Sequence, residues 1–331
     1  MKLVSYLKSS EIQLGAIVNE AVYNLQSVNE NLPKNIIDFF HSSNELIQQT
    51  EKQLSKIADN SLSIEPVKDF SLLAPVPRPT SCRDGYAFRQ HVESARRNRG
   101  VEMIKEFDQY PIFYFTNHNA VQGPGDIYCM PDHFQQLDFE LEVAIVIGKE
   151  GRNIKAKDAD AYIAGFTIMN DLSARKLQME EMLLNLGPAK GKDFSTVIGP
   201  WLVTPDELSA YLVPAKKGHV GNNYNLSMKC WVNDILVSEG NVKDMDWTFA
   251  EIIERCSYGV TIFPGDVIGS GTVGTGCFLE LNGTGKLHDP NYQPQWLQAN
   301  DIVKMTIDGL GTLENTIKAE ATDWSILALK K

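Results

Sequence analysis

The segment Asp138-Phe139-Glu140-Leu141-Glu142-Val143-Ala144-Ile145-Val146-Ile147-Gly148 constrains the fold more than any other part of this sequence. Side chains of an extended chain alternate between faces, so Asp138, Glu140 and Glu142 share one face and Phe139, Leu141 and Val143 the other. From Val143 to Ile147 both faces are apolar, which describes a strand running into a core. Carboxylates two residues apart on such a strand sit about 6.5–7 Å apart. Holding them against a core is costly unless positive charge compensates them, and a hard divalent cation bound by carboxylate oxygens does so directly. For this segment taken alone, a solvated edge strand is the ordinary alternative.

Neighbouring segments favour the cation. Ala161 to Met169 is nearly all apolar and stops at Asn170-Asp171, followed by Leu172-Ser173-Ala174-Arg175-Lys176-Leu177-Gln178. Asp171 is placed to cap a helix N-terminus, and equally to serve as a carboxylate at the end of a buried strand. Arg175 and Gln178 would share the helix face that Asp171 begins. A third acidic position, Asp84, precedes His91 within Arg83-Asp84-Gly85-Tyr86-Ala87-Phe88-Arg89-Gln90-His91. A lone histidine is usually structural, but of the 6 histidines His91 alone lies in a dense polar run at the start of the large domain.

The 331 residues suit one large domain and one smaller one. Residues 14–25 read as two short strands around a turn at Asn19-Glu20, and Pro33 opens a helical pattern that runs on to Ile57. Pro66, Pro75, Pro77 and Pro79 stiffen the connection that follows, which places a small αβ domain at 1–75 and the main domain at 76–331. Beyond residue 80 the pattern is short apolar strands between Gly/Pro turns: Pro111–Phe115, Glu142–Ile147, Tyr162–Met169, Leu226–Val232, Cys277–Leu281 and Ile302–Ile307. Helices are expected only near 171–186 and 246–257, so the fold class is α+β and β-rich.

A net charge of −11 argues against nucleic acid or an anionic membrane as partner. The 5 cysteines are odd in number and form no C-x-x-C, so neither a disulfide framework nor a thiolate zinc site is expected. Ser9-Ser10-Glu11 interrupts the start before a signal-peptide apolar region forms, and no segment has the roughly 20 apolar residues of a membrane span. A reduced cytosol is the expected compartment. Gly269-Ser270-Gly271-Thr272-Val273-Gly274 mimics a dinucleotide fingerprint, but Thr275–Asn282 alternates like a strand where that motif needs a helix. Gly187-Pro188-Ala189-Lys190-Gly191-Lys192 mimics a P-loop with its glycines one residue too close and Asp193 in place of Ser/Thr.

At these same residues the sequence resembles the fumarylacetoacetate hydrolase family. The likeness is carried by Asp84-Gly85-Tyr86 with Arg89-Gln90-His91, by Leu137 to Glu142, by Met169 to Arg175 with Gln178, by Leu186-Gly187-Pro188 with Gly191 to Phe194 and Thr196, and by Gly271-Thr272 with Phe278 to Leu281. The resemblance implies a mixed β-roll that binds Mg²⁺ or Ca²⁺ and forms a homodimer. It makes Asp84, Glu140, Glu142 and Asp171 the metal ligands and leaves Asp138 without a ligand role. It makes His91 the general base, oriented by Glu280, and has Arg175, Gln178 and Lys192 stabilise developing negative charge. Tyr86, Tyr114 and Thr272 would contact substrate, and the Arg96, Arg97 and Arg99 cluster would supply a carboxylate-binding arginine, assigned to Arg99.

The implied activity is metal-dependent hydrolysis of a C–C bond in a small dicarbonyl acid, as in the fumarylacetoacetase step of aromatic amino acid catabolism. Cleavage between carbonyls needs water delivered to one carbonyl and an enolate stabilised at the other. A chelating metal, fixed cations and an imidazole that titrates near neutrality supply both. Small family members that decarboxylate or isomerise carry His and Glu three residues apart. Here Glu93 and Ser94 follow His91, which sides with hydrolysis. A 2-oxo acid decarboxylase, hydratase or isomerase is the alternative, and a non-catalytic calcium-binding β-domain the distant one.

Overall fold

Short apolar runs between turn residues yield a sheet-dominated chain, described in the computed structural model over residues 1–329. Strands β1 (Lys2–Lys8), β2 (Glu11–Val18) and β3 (Ala21–Asn24) form an antiparallel meander. Its two turns, Ser9-Ser10 and Asn19-Glu20, hold all four residues at positive φ, the geometry that matches tight hairpins to strand twist. Helix α1 (Asn44–Ala58), capped by Ser43 accepting from the Leu46 amide, buries Leu54 and Ile57.

The next elements are β4 (Cys82–Gly85), α2 (Arg89–Arg97), β5 (Phe113–Thr116), β6 (Gly125–Cys129), β7 (Leu141–Ile147) and β8 (Ile163–Asp171). After them come α3 (Arg175–Met182), β9 (Thr196–Val203), β10 (Ser227–Val232), β11 (Ile235–Asn241) and α4 (Phe249–Ser257). The chain closes with β12 (Val267–Gly269), α5 (Phe278–His288), β13 (Ile302–Ile307) and β14 (Gly311–Ala319).

The larger sheet runs β3-β2-β1-β9-β8-β7-β12-β4-β5, and a second runs β11-β10-β13-β14-β6. Both are open, so the architecture is a mixed, β-rich α+β fold and not a closed barrel. The first strands extend the main sheet, with Lys2 opposite Val203 and Leu3 opposite Leu202, so the sheet crosses the expected boundary at residue 75 without a gap. Strand β7 is buried along its whole length. Its Val143, Ile145 and Ile147 enter one core cluster while Ala144 and Val146 enter the other, as a strand covered on both faces must. Among the described residues no helix is long and apolar enough to cross a membrane. All five cysteines are unpaired and buried.

Two expectations about helices need correction. Residues Cys277–Leu281 open helix α5 rather than forming a strand. Thr275–Asn282 alternates well enough to suggest a strand, but a distant carboxylate decides the matter. Asp138 accepts from the amides of Phe278 (2.7 Å) and Leu279 (2.9 Å), and an anion there stabilises the helix start. The glycine-rich decoy is therefore followed by a helix after all, yet its amides are already occupied by the protein's own Asp138, in a mainly antiparallel sheet. Helix α2 was not expected either. Its polar run contains the buried positions His91, Val92 and Ser94.

Candidate active site

Three apolar stripes end in carboxylates. Cys82 on β4, Ala144 on β7 and Met169 on β8 belong to one core cluster, and two residues along each strand stand Asp84, Glu142 and Asp171 on the same face. Sheet order brings those ends together. Glu142 lies opposite Met169, and Gly269 of β12 lies between Ala144 and Asp84. A Cβ on Gly269 would stand 2.4 Å from Asp84 Oδ1, so only glycine leaves room for that carboxylate. Glu140 joins from the residue before β7, its amide donating to Asn170 Oδ1 at 3.0 Å. One oxygen from each of Asp84, Glu140, Glu142 and Asp171 lies within 4.8 Å of all the others, and all four residues are buried.

This crowding is electrostatically unfavourable as it stands. Burial, then the Asp171 charge, pushes Asp84 up to about 7. Burial, then the Asp84 charge, pushes Glu142 well above the carboxylate range. Burial also raises Asp171, with Glu140 adding to it while Lys192 and Tyr114 oppose it. Glu142 Oε2 and Asp171 Oδ1 have no hydrogen-bond partner, a deficit of about 1–3 kcal/mol for each buried group. Four carboxylates with orphaned, inward oxygens fit a hard divalent cation of the Mg²⁺, Ca²⁺ or Mn²⁺ type.

Two buried cations stand against the cluster. Lys192 Nζ donates to Glu140 and, at 2.6 Å, to Asp171 Oδ2. Arg175 donates to Asp138 Oδ2 (2.9 Å), Glu140 Oε1 (2.6 Å) and Gln178 Oε1 (3.0 Å). Burial would raise Glu140, but Lys192 and Arg175 more than offset it and hold Glu140 well below its usual range. Gly191 lets the Lys192 loop reach α3, since a Cβ there would lie 2.6 Å from the Gln178 backbone. Asp138 stands outside the four-carboxylate cluster. It ties Arg175 to the start of α5.

Beside the carboxylates, His91 Nδ1 meets Glu280 Oε2 at 2.6 Å, which joins α2 to α5. With Nδ1 engaged, Nε2 is the nitrogen left for chemistry. Tyr86 packs edge-on to the His91 ring at 5.9 Å. His91, Glu280, Asp84, Glu140, Arg175, Gln178 and Lys192 all face one cavity of 880 Å³.

The other sequence-singled residues fall on the same cavity or just behind it. Tyr86, Tyr114, Thr272, Arg96 and Arg99 line it, whereas Arg97 turns to Thr284 at 3.2 Å. Tyr114 donates to Asp171 Oδ2 (2.6 Å) and Thr272 to Glu142 Oε1 (3.3 Å), so both also brace carboxylates. Asp171 is not a helix N-cap. It pairs with Thr196 as the last residue of β8, and α3 begins only at Arg175. The intervening Ser173-Ala174 pair with Leu137-Asp138 instead of starting the helix. The sequence reading missed Lys286, Met182 and Trp296 on the cavity wall. Lys286 was hidden by the strand assignment, because helical spacing from Glu280 and Gly283 is what turns it toward the cavity.

Such a fold and site define a β-rich enzyme scaffold in which a centre suited to a divalent cation adjoins an acid–base pair. The chain belongs to the fumarylacetoacetate hydrolase family, whose C-terminal domain model matches residues 80–318. It is 32% identical over 304 residues to "Oxaloacetate tautomerase FAHD2A, mitochondrial" of Homo sapiens, covering 89% of this chain and 83% of that protein. It is 28% identical over 323 residues to the "Fumarylacetoacetate hydrolase domain-containing protein 2 homolog" of Dictyostelium discoideum, covering 96% and 97%. Among solved structures, maleylpyruvate hydrolase from Sphingobium sp. SYK-6 in complex with manganese (II) ion and pyruvate superposes with a TM-score of 0.67 at 21% identity, covering 96% of this chain and 99% of that one.

Proposed function

We propose that this chain is a metal-dependent enzyme that moves a proton beside the carbonyl of a 2-oxo dicarboxylic acid, a keto–enol tautomerisation of the oxaloacetate type. The carrying observation is the His91–Glu280 pair, held at 2.6 Å and opening on the same cavity as the carboxylate cluster. Relatives named as oxaloacetate tautomerases support the choice of reaction.

A divalent cation held by Asp84, Glu140, Glu142 and Asp171 would supply Lewis-acid polarisation of the 2-oxo group. His91 takes the proton from the adjacent carbon through Nε2, while Glu280 keeps Nδ1 protonated and stabilises the imidazolium. Arg175 and Lys192 place fixed positive charge where the enolate forms. Returning the proton to the enolate oxygen completes the keto-to-enol conversion, and the reverse path uses the same groups. Gln178, Tyr86, Tyr114 and Thr272 orient the reacting end, and Arg99 receives the far carboxylate.

The second reading is hydrolysis of a C–C bond in a β-diketo acid, with His91 activating water. A specific observation favours it: the acid partner of His91 is Glu280 on another helix, not a glutamate three residues along its own chain. A substrate panel with Mg²⁺ or Mn²⁺ separates the two. Tautomerisation predicts that the protein speeds enol–keto equilibration of oxaloacetate and deuterium exchange at its C3, and that His91→Ala abolishes both. Cleavage of acylpyruvates or fumarylacetoacetate into two acids without any exchange would replace tautomerisation by hydrolysis. Release of CO₂ alone would reject both. The homodimer belongs to the same proposal and is read from the mass in solution.

A further inference from the structure

A second set of metal-binding atoms stands beside the first and differs from it in chemistry. One ring nitrogen of His91, Sγ of Cys277 and a carboxylate oxygen of Glu140 lie within 4.8 Å of one another, and all three residues are buried. The oxygen-only cluster suits hard cations, whereas a nitrogen, sulfur and oxygen set suits zinc and its softer neighbours. Zinc at about 2.0–2.3 Å from each ligand needs donors roughly 3.3–3.8 Å apart, so small side-chain rotations close the site.

We propose that His91, Cys277 and Glu140 form a second metal site that takes Zn²⁺ and thereby switches the enzyme off. Three features support it beyond the three donors. His91 is held through Nδ1 by the Glu280 carboxylate, the outer-shell arrangement that orients histidines on zinc. Cys277 caps the start of α5, its sulfur fixed by accepting from the Glu280 amide at 3.5 Å; burial, then the Asp138 charge, holds the thiol well above its usual range, so its proton leaves only in exchange for the metal. Glu140 accepts from Arg175 and Lys192, yet a carboxylate has about four lone-pair positions, which leaves room for a bridging role between the two sites.

On binding, the Cys277 S–H bond breaks, a Zn–S bond forms and the proton leaves to solvent, with no change of oxidation state. The imidazole nitrogen taken by zinc is no longer available for proton transfer. That inhibitory consequence rests on the proposed role of His91, whereas the site itself does not.

The test uses the whole protein with saturating Mg²⁺ and Co²⁺ as a spectroscopic substitute for Zn²⁺. One further equivalent of Co²⁺ should bind, with a thiolate-to-cobalt charge-transfer band that excess Zn²⁺ removes. The band should be absent in Cys277→Ser, whose hydroxyl still caps α5. Zn²⁺ should inhibit turnover of the native protein, and Cys277→Ser should raise the half-inhibiting concentration at least tenfold. No band in the folded native protein overturns the site without recourse to any variant. Equal inhibition of both proteins also overturns it, since zinc would then act at the oxygen cluster. A band without inhibition keeps the site and removes His91 from the proton path.

Discussion

Glu142→Gln tests the carboxylate cluster in two opposite directions at once. Glu142 is fully buried, and its oxygens lie among those of Asp84, Glu140 and Asp171, all within 4.8 Å. At that separation and an effective dielectric of about 20, each like-charge pair costs about 3.5 kcal/mol. The upward shifts of Asp84 and Glu142 already remove part of this, and a glutamine amide can donate to Asp84. The metal-free variant is therefore expected to be more stable than the native chain at pH 8, by about 1–3 kcal/mol. With metal the sign reverses, because one charged ligand is missing, and affinity for Mg²⁺ or Mn²⁺ should fall at least about 100-fold, or about 2.7 kcal/mol. Calorimetric titration gives the affinity, and urea unfolding with and without chelator gives the two stabilities. Unchanged metal affinity, or a metal-free variant less stable than native, would refute the reasoning.

Asp138→Asn removes the charge that ties Arg175 to two amides of α5. Urea unfolding should show a loss of about 2–4 kcal/mol, and a loss under 1 kcal/mol would count against that role. Glu280→Gln keeps a hydrogen-bonding partner for His91 but not its charge, so turnover should drop about 10²–10⁴-fold while metal affinity stays within about twofold. A variant retaining half its activity would show that the charge is not needed. Without metal, stability should fall as pH rises from about 4.5 to 7. Asp84 holds its proton up to about 7 when folded against a usual 3.8, so the folded state carries the extra proton and loses up to about 1.4 kcal/mol per pH unit. Glu142, Asp138 and Asp171 act in the same direction, His133, held down to about 4 by burial, acts against them, and Glu140 and Lys192 titrate outside that window. A chelated protein whose melting temperature is flat or rising over this range, or no flattening with Mg²⁺, would be the contrary result.

The parts of the site that a local pattern encodes are legible in the sequence, and the parts set by long-range docking are not. Alternation along one strand announces Glu140 and Glu142, and an apolar run that stops at Asp171 announces another strand end. Alternation also places Asp138 with them, which the structure does not. The extended run is interrupted: Leu137-Asp138 pair with Ser173-Ala174 in a separate ladder and β7 begins at Leu141, so Asp138 is redirected to Arg175 and α5. What gathers Asp84 with the rest is the order β8-β7-β12-β4, which no spacing reveals. His91 and Glu280 lie 189 residues apart, and only the family likeness joined them beforehand. Helix α5 was misread because its first turn is fixed by Asp138 from elsewhere in the chain, a tertiary bond that overrides a strand-like alternation.

Charge then explains why the cavity needs its outer wall. Asp84, Asp138, Glu140, Glu142, Asp171 and Glu280 are buried together with Arg175 and Lys192, so this site sets six carboxylates against two permanent cations. Proton sharing and a divalent ion bring this close to balance, but they leave nothing over to attract a substrate that is itself an anion. The chain as a whole, at −11, repels such a molecule. Arg96 and Arg99 on α2 and its end, with Lys286 on α5, line the same cavity. They sit roughly 7–12 Å along their helices from His91 and Glu280. In the proposed reaction a dicarboxylic acid with one end at the carboxylate cluster would meet these cations with its other end, which would set the direction in which it enters.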